Sequence, residues 1–289
     1  MDTTTEPLRT LLDRGQRDHA EQAAAYADAL MSRAAGLPVD ADGADAIRFA
    51  EHVLLAHLAD VPALQRFLAQ LPPAALQAED TAPAVQRARW CIARLLDQPE
   101  PELAPALRWR SLHDAVMAAV HLGRCAEAGT WLRADEAAAL ACADPSATKA
   151  YAVSTNNVAL DLRLGERGDA SRDALMLEAA AIARRAWQAA GTWVHVERAE
   201  YQLALCHAAA GRGAAAVEHA QACLQLCEAE QADAVERFFA HEALVLAHRA
   251  GGDPVAARQH RDRMAELLPQ VADEGMRGWC AQTLAALPD

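Results

Sequence analysis

Apolar side chains recur at intervals of three and four residues along most of the chain, in segments of about 12 to 22 residues. Glycine and proline separate these segments, so the pattern predicts a succession of short antiparallel helices. Two of the predicted helices begin at Asp144-Pro145 and Asp253-Pro254. In each pair the aspartate is suited to cap the helix and the proline is suited to its first turn.

The glycine-marked breaks recur at a nearly constant interval. Aligned on their turn glycines, the breaks lie at Gly123, Gly165, Gly211 and Gly252. The spacings are 42, 46 and 41 residues, and an apolar residue followed by a small one precedes the turn, as in Leu203-Ala204. Self-similarity at this period is typical of stacked helix pairs. We therefore predict an all-α fold, an α-solenoid of antiparallel helix pairs.

Composition supports the same fold class. Alanine occurs 73 times and isoleucine only three times, so good helix formers dominate and strand-forming residues are scarce. Alanine also lets helices approach closely, which favours a stack of helices over a core filled by large aromatic side chains.

The segment 199–224 resembles a tetratricopeptide repeat, of the longer variety of about 40 residues found in some bacterial regulators. It has the Leu203-Ala204 pair, the turn glycine Gly211, the small residue Ala216 in the second helix, and a small residue before Leu224. Some positions depart from the family pattern, in particular His207, Ala220, Cys223, His248, Arg261 and Met264. The resemblance implies a superhelix that binds a protein or peptide segment in its concave groove without catalysis.

The repeat pattern divides the chain into three regions. We predict a helical N-terminal region, the tetratricopeptide-like repeats and a C-terminal capping helix at 1–107, 108–268 and 269–289. In the first region, Ala59-Asp60 and Leu96-Asp97 are candidates for degenerate turns of the same kind. In the last, Trp279 and Leu284 are expected to face inward.

Charge and targeting signals narrow the classes of partner. The net charge is −13, with 40 acidic against 27 basic residues, which argues against direct binding to nucleic acid or anionic lipid. No uncharged apolar run approaches the roughly 18 to 20 residues that cross a bilayer. Seven cysteines at irregular spacing, and a segment 1–6 without basic and apolar regions, favour a cytoplasmic protein.

The resemblance also implies which residues line the groove, because the first helix of each pair faces it. The candidate partner-binding residues are Arg110, His113, Asn156, Asn157, Arg163, Arg198, Tyr201, Phe239, Glu242 and Arg249. Arginine grips carboxylates through a two-pronged contact, so an acidic segment is a candidate partner. Asparagine both donates to and accepts from a peptide backbone. Self-association as a homodimer is a further expectation.

A second interpretation rests on cysteine and histidine. The candidate metal ligands are Cys206, His207, His219, Cys223 and Cys227. On one helix, residues eight apart are separated by about 12 Å, so His219 and Cys227 cannot share an ion. A pair of them with Cys206 and His207 from the preceding helix remains conceivable, which would make the protein a metal- or redox-responsive regulator. Alternatively, Cys223 is a small buried core residue.

Catalytic motifs are incomplete, so we predict a protein that is not an enzyme and has no cofactor. Gly211-Arg212-Gly213 matches part of a dinucleotide fingerprint, but a helix rather than a strand precedes it. Lys149 is the only lysine, which excludes phosphate loops and Schiff bases.

Isolated titratable pairs have simpler explanations. His52 and His57 are five residues apart and should diverge around a helix, as packing or surface residues. The neighbouring carboxylates Asp135 and Glu136 are expected on a solvated face.

Overall fold

The computed structural model describes residues 6–287, and these residues form helices and connecting turns without a strand. Of the segment 1–6, where no features of a secretory signal were found, residues 1–5 lie outside the described residues. The α-helices, in chain order, are α1 Leu8–Asp18, α2 Ala23–Arg33, α3 Ala41–His52, α4 Val61–Gln70, α5 Ala82–Leu95, α6 Pro105–His121, α7 Cys125–Leu140, α8 Pro145–Leu164, α9 Ala170–Ala190, α10 Trp193–Ala209, α11 Gly213–Ala229, α12 Ala234–Ala250, α13 Pro254–Leu267 and α14 Glu274–Ala286. The predicted all-α fold is confirmed for this part of the chain.

Aspartate side chains cap many of the helix N-termini. At these positions a carboxylate oxygen accepts hydrogen bonds from backbone N–H groups of the first turn, which otherwise lack partners. The capping residues are Asp40, Asp60, Asp144, Asp169, Asp233, Asp253 and Asp273. The two caps predicted from Asp-Pro pairs are therefore confirmed. Among the described helices, none combines the length and the apolar content needed to span a bilayer.

Left-handed residues mark the turns inside the helix pairs. Positive φ angles occur at Gly123, Gly168, Gly211 and Gly252, which are 45, 43 and 41 residues apart. The alignment on Gly165 was therefore three residues off, because Gly165 has an extended backbone with φ −79° and ends α8. Glycine is favoured at such positions because a Cβ atom is strained at positive φ. At Gly211, the next residue closes the turn with a hydrogen bond from Arg212 N to His207 O of 2.9 Å.

The two turns predicted in the N-terminal region have the same handedness without glycine. Ala59 has φ 49° and Asp97 has φ 54°. After Asp97, Gln98 N donates to Ala93 O at 2.8 Å, which is the pattern seen after Gly211. The turn geometry of the repeats is thus also present in the N-terminal third, although no glycine identifies these turns in the sequence.

Contacts divide the chain into two compact units, Met1–Asp135 and Glu136–Asp289, with the boundary inside α7. In the second unit, consecutive helices pack against each other from α8 to α13, and α10 also contacts both α8 and α12. The packing of consecutive helix pairs is compatible with a helical repeat. The boundaries predicted at 107 and 268 stay predictions.

The first unit packs its helices more irregularly. α3 contacts α1, α2 and α5, and a π-helical segment, Val53–His57, continues from α3 and packs against α6. Gly15 on α1 admits the ring of Phe49 on α3, because a Cβ atom at Gly15 would lie 2.4 Å from that ring. Asp135, expected on a solvated face, is buried in this unit and accepts a hydrogen bond from Arg108. The expectation for Asp135 was wrong: the side chain lies in the interior, where the positive charges of Arg108 and Arg94 compensate its charge.

The C-terminal helix α14 corrects one prediction. Trp279 does not face inward: 53% of it is exposed, and its ring lies 4.8 Å from that of Phe239. The neighbouring Cys280 is completely buried instead, and Leu284 is partly buried against the same core. Cys280 is on the face of α14 that packs on the core, so the adjacent Trp279 is directed towards solvent.

Candidate functional site

Four of the predicted partner-binding residues meet in the second unit. Tyr201 donates a hydrogen bond from its hydroxyl to Glu242 Oε2 at 2.8 Å, and its ring centroid lies 6.2 Å from that of Phe239. Phe239 in turn contacts Trp279. Arg163 is close enough to influence both Tyr201 and Glu242 electrostatically. We call these five residues, which come from α8, α10, α12 and α14, the Tyr201 surface.

The Tyr201 surface holds polar groups in a partly desolvated setting. Burial raises the pKa of Glu242 above its usual range, although the Tyr201 hydrogen bond and the charge of Arg163 oppose that rise. Burial and the adjacent Glu242 also raise the pKa of Tyr201 well above its usual range. The Nε atom of Arg163 is buried and has no hydrogen-bond partner among the described residues.

Other predicted groove residues of the second unit have different surroundings. Arg198 is exposed and forms an ion pair with Glu236 on α12. Asn156 and Asn157 are half-buried on α8, and Arg249 is exposed near the end of α12. The role of these four residues in partner binding stays a prediction.

Two predicted groove residues belong to the first unit. Arg110 is exposed on α6. His113, on the same helix, places Nδ1 3.1 Å from Asp114 Oδ1, and its ring stacks on that of His52 with centroids 5.8 Å apart. His113 is therefore part of a buried polar network of the first unit.

The proposed cysteine and histidine ligands occupy separate surroundings. Cys223 and Cys227 of α11 are fully buried, with their Sγ atoms 2.8 and 3.6 Å from Oε1 of Glu197 on α10. Burial raises the pKa of Glu197 to about 7. Hydrogen bonding to Cys227, together with burial, raises the pKa of Cys223. Protonated thiols that donate to the carboxyl group explain this trio as a core cluster, and the same three ligand atoms lie within 4.8 Å of one another, which is close enough to hold a metal ion.

The histidines of that set face a different partner. His219 Nδ1 lies 2.7 Å from Oε2 of Glu200, which also accepts a hydrogen bond from Arg184. The His207 ring stacks on His219 with centroids 5.2 Å apart. Cys206 is directed to α8, with Sγ 3.9 Å from Ala159 O. The five residues thus do not form one ligand set.

The first unit contains a cluster of histidines that was not predicted from the sequence. His19, His52 and His57 place one ring nitrogen each within 4.8 Å of the other two, and we call them the three-histidine cluster. The prediction that His52 and His57 diverge was wrong. Residues five apart on an α-helix point about 140° apart, but the π-helical turn Val53–His57 contains more residues per turn and returns His57 to the face of His52.

Sequence reasoning had little access to this cluster. His19 follows the end of α1, and it meets His52 only because α1 packs on α3. The apolar run Val53-Leu54-Leu55-Ala56 is as compatible with an α-turn as with a π-turn. The useful signal was two histidines bracketing an apolar run just before the turn at Ala59.

Comparisons with known proteins found no likeness: no protein-family model matches the sequence, and no curated protein or solved structure matches it either.

Proposed function

We propose that this protein is a non-catalytic binding module, a tetratricopeptide-like α-solenoid that captures a protein or peptide segment on the Tyr201 surface. One observation carries the proposal: aromatic and charged side chains of helices that are distant in sequence converge around Tyr201, and Phe239 links them to a Trp279 that is 53% exposed.

The chemistry of the Tyr201 surface suits a binding site. Tryptophan, tyrosine and arginine are the residues that most often dominate binding energy at interfaces. Aromatic side chains provide large contact area, and a tyrosine hydroxyl that is already paired, as in Tyr201 with Glu242, holds its ring in one orientation. An exposed tryptophan beside a second ring is a candidate anchor point for an apolar side chain of the partner.

Arg163 adds a polar requirement. Its buried Nε atom lacks a hydrogen-bond partner among the described residues, and a buried donor without a partner costs free energy. The guanidinium group as a whole is only half-buried, so its positive charge would attract a carboxylate of the partner. We therefore expect a segment with an apolar or aromatic anchor and a nearby acceptor, acidic groups included.

A peptide-display selection tests this proposal. Immobilised protein is offered a random peptide library, and the selected peptides are then measured by calorimetry against wild type, Trp279→Ala and Tyr201→Phe. We expect a shared motif with an apolar anchor, and loss of about 2 kcal/mol or more of binding free energy in Trp279→Ala.

Val255→Ala is the matched control, because Val255 is a 68% exposed apolar residue of the same unit outside the Tyr201 surface. It should bind the selected peptides like wild type. Selection of no motif, or peptides that bind the Trp279→Ala variant as tightly as wild type, would show that the Tyr201 surface is not a peptide-binding site.

A further inference from the structure

The imidazole rings of the three-histidine cluster in the first unit direct one nitrogen each towards a common point. His52 Nε2 lies 3.1 Å from His19 Nε2 and 3.1 Å from His57 Nε2. The rings meet edge to face, with centroids 4.8 to 5.0 Å apart. All three side chains are half-buried, so the cluster is neither a solvated surface group nor a sealed part of the core.

The outer hydrogen bonds of two rings decide where their protons are. His19 Nδ1 lies 2.6 Å from the carbonyl oxygen of Gly15, which only accepts, so this nitrogen carries the hydrogen. His52 Nδ1 lies 2.8 Å from a carboxylate oxygen of Asp114, and the same reasoning applies. In the neutral rings, both Nε2 atoms are therefore lone-pair acceptors, and they face each other.

Two acceptors at 3.1 Å repel each other unless a cation lies between them. A single proton can bridge one pair of nitrogens, but the His52 nitrogen is equally close to a second neighbour, His57. A metal ion can bind all three nitrogens at once. Zinc binds histidine nitrogen at about 2.0 to 2.1 Å, which puts tetrahedral ligand atoms about 3.3 Å apart, close to the observed separations.

The surrounding charges also favour a cation. Glu51 and Asp114 are both buried, and they share one guanidinium, that of Arg87, at 3.4 and 3.7 Å. Burial of these acidic groups beside a single guanidinium group favours a further positive charge near Asp114. Asp114 connects this network to the cluster through its hydrogen bond with His52, an arrangement that commonly orients a metal-bound histidine.

We infer that His19, His52 and His57 bind one zinc ion through their Nε2 atoms, with Asp114 and the Gly15 carbonyl holding two of the rings. The set has three protein ligands, and closed structural zinc sites have four. The fourth position is therefore open to water or to a small exchangeable ligand such as an anion. This zinc site is independent of the peptide binding proposed for the second unit.

Metal titration of the full-length protein tests the inference. Chelator-treated protein is titrated with zinc against a competing indicator dye, and the metal retained after dialysis is measured by mass spectrometry. We expect one zinc ion per chain. Loss of a residue that hydrogen-bonds to a metal ligand typically lowers metal affinity about 10- to 100-fold. The zinc affinity of Asp114→Asn should fall by such a factor. That of His19→Gln and of His57→Gln should fall by more, because each variant loses a ligand.

His241→Gln is the matched control. Nδ1 of His241 lies 3.0 Å from Nδ1 of His260 in the second unit, and that pair belongs to no three-ligand group among the described residues. The control should keep wild-type zinc affinity. Circular dichroism of each metal-free variant checks that it folds, and His19→Gln and His57→Gln each test the site should the other fail to fold.

Cobalt tests the open position. The absorption bands of bound Co²⁺ should have the intensity of four-coordination and should shift when azide is added. Zinc binding that is unchanged in both His19→Gln and His57→Gln, or no stoichiometric binding by wild type, overturns the site. A cobalt spectrum that does not respond to azide overturns the open fourth position.

Discussion

Glu197 shows how burial changes the chemistry of a single residue. The residue is only 1% exposed, its carboxyl group accepts hydrogen bonds from Cys223 and Cys227, and burial raises its pKa from 4.5 to about 7. The folded protein thus binds a proton there more tightly than the unfolded chain does. Between about pH 4.5 and 7, this carboxyl therefore lowers stability as the pH rises.

The substitution Glu197→Gln should remove that dependence. The amide oxygen can still accept from the thiols, but it has no proton to lose. Relative to wild type, the free energy of unfolding of the variant should increase by about 2 to 3 kcal/mol between pH 5 and pH 8. Urea unfolding at both pH values measures it. Glu51 titrates in both proteins, so its effect cancels, and a difference that stays constant with pH would contradict the assignment.

At the scale of elements, helix contacts depend on particular glycines. The predicted turn between two helices at Gly211-Arg212-Gly213 is confirmed, since α10 precedes it and α11 begins at Gly213. Gly213 is needed for packing: a Cβ atom there would lie 2.3 Å from Cα of Gly251, at the end of α12. The last glycine of the apparent dinucleotide fingerprint is therefore explained by the close approach of two backbones.

Gly213→Ala should lower the free energy of unfolding by about 1 to 3 kcal/mol, because the backbone of α12 must move away. Gly278→Ala is its control. A Cβ atom at Gly278 meets no atom within 4 Å, and glycine inside a helix such as α14 is costly, so this variant should gain about 0.5 to 1 kcal/mol. Urea unfolding of both variants measures these changes. Equal free energies of unfolding in the two variants would show that α11 and α12 can accommodate a Cβ atom at Gly213.

Helices, caps and most turns were predictable because their causes are local. Asp144 precedes a proline, and Gly211 ends an apolar segment, so neighbouring residues alone determine them. His57 was predicted wrongly because the apolar run before it does not distinguish a π-turn from an α-turn, and Trp279 because its orientation depends on how α14 packs on other helices. For Tyr201 the repeat pattern placed the residue on the right helix, but its pairing with Glu242 needed the packing of α10 on α12.

The whole molecule is strongly acidic, and many of its arginines already have acidic partners. Arg9, for example, contacts both Asp42 and Asp45, and Arg124 contacts Glu127. Such pairing leaves less positive charge for phosphate groups than the count of 27 basic residues suggests. The sequence-based expectation that nucleic acid is not a direct partner can thus be tested on the intact chain.

Fluorescence anisotropy of labelled duplex DNA should remain unchanged on addition of this protein at physiological salt. Proteins that bind DNA non-specifically do so with dissociation constants of about 10⁻⁴ to 10⁻⁶ M, so protein at about 100 µM is a sufficient concentration. The net charge of −13 predicts repulsion. Saturable binding that weakens with salt would reveal a basic surface, contrary to this prediction.

The π-helical turn Val53–His57 also has a consequence for the length of the chain. A π-turn accommodates about one residue more than an α-turn, so a deletion of Ala56 would leave the two flanking histidines four apart on an ordinary α-helix. Residues four apart share a face, so the shortened protein should retain the pair of ring nitrogens. An insertion at the same place would separate them. Of the two single-residue length changes, only the deletion therefore keeps both histidines on one face of the helix.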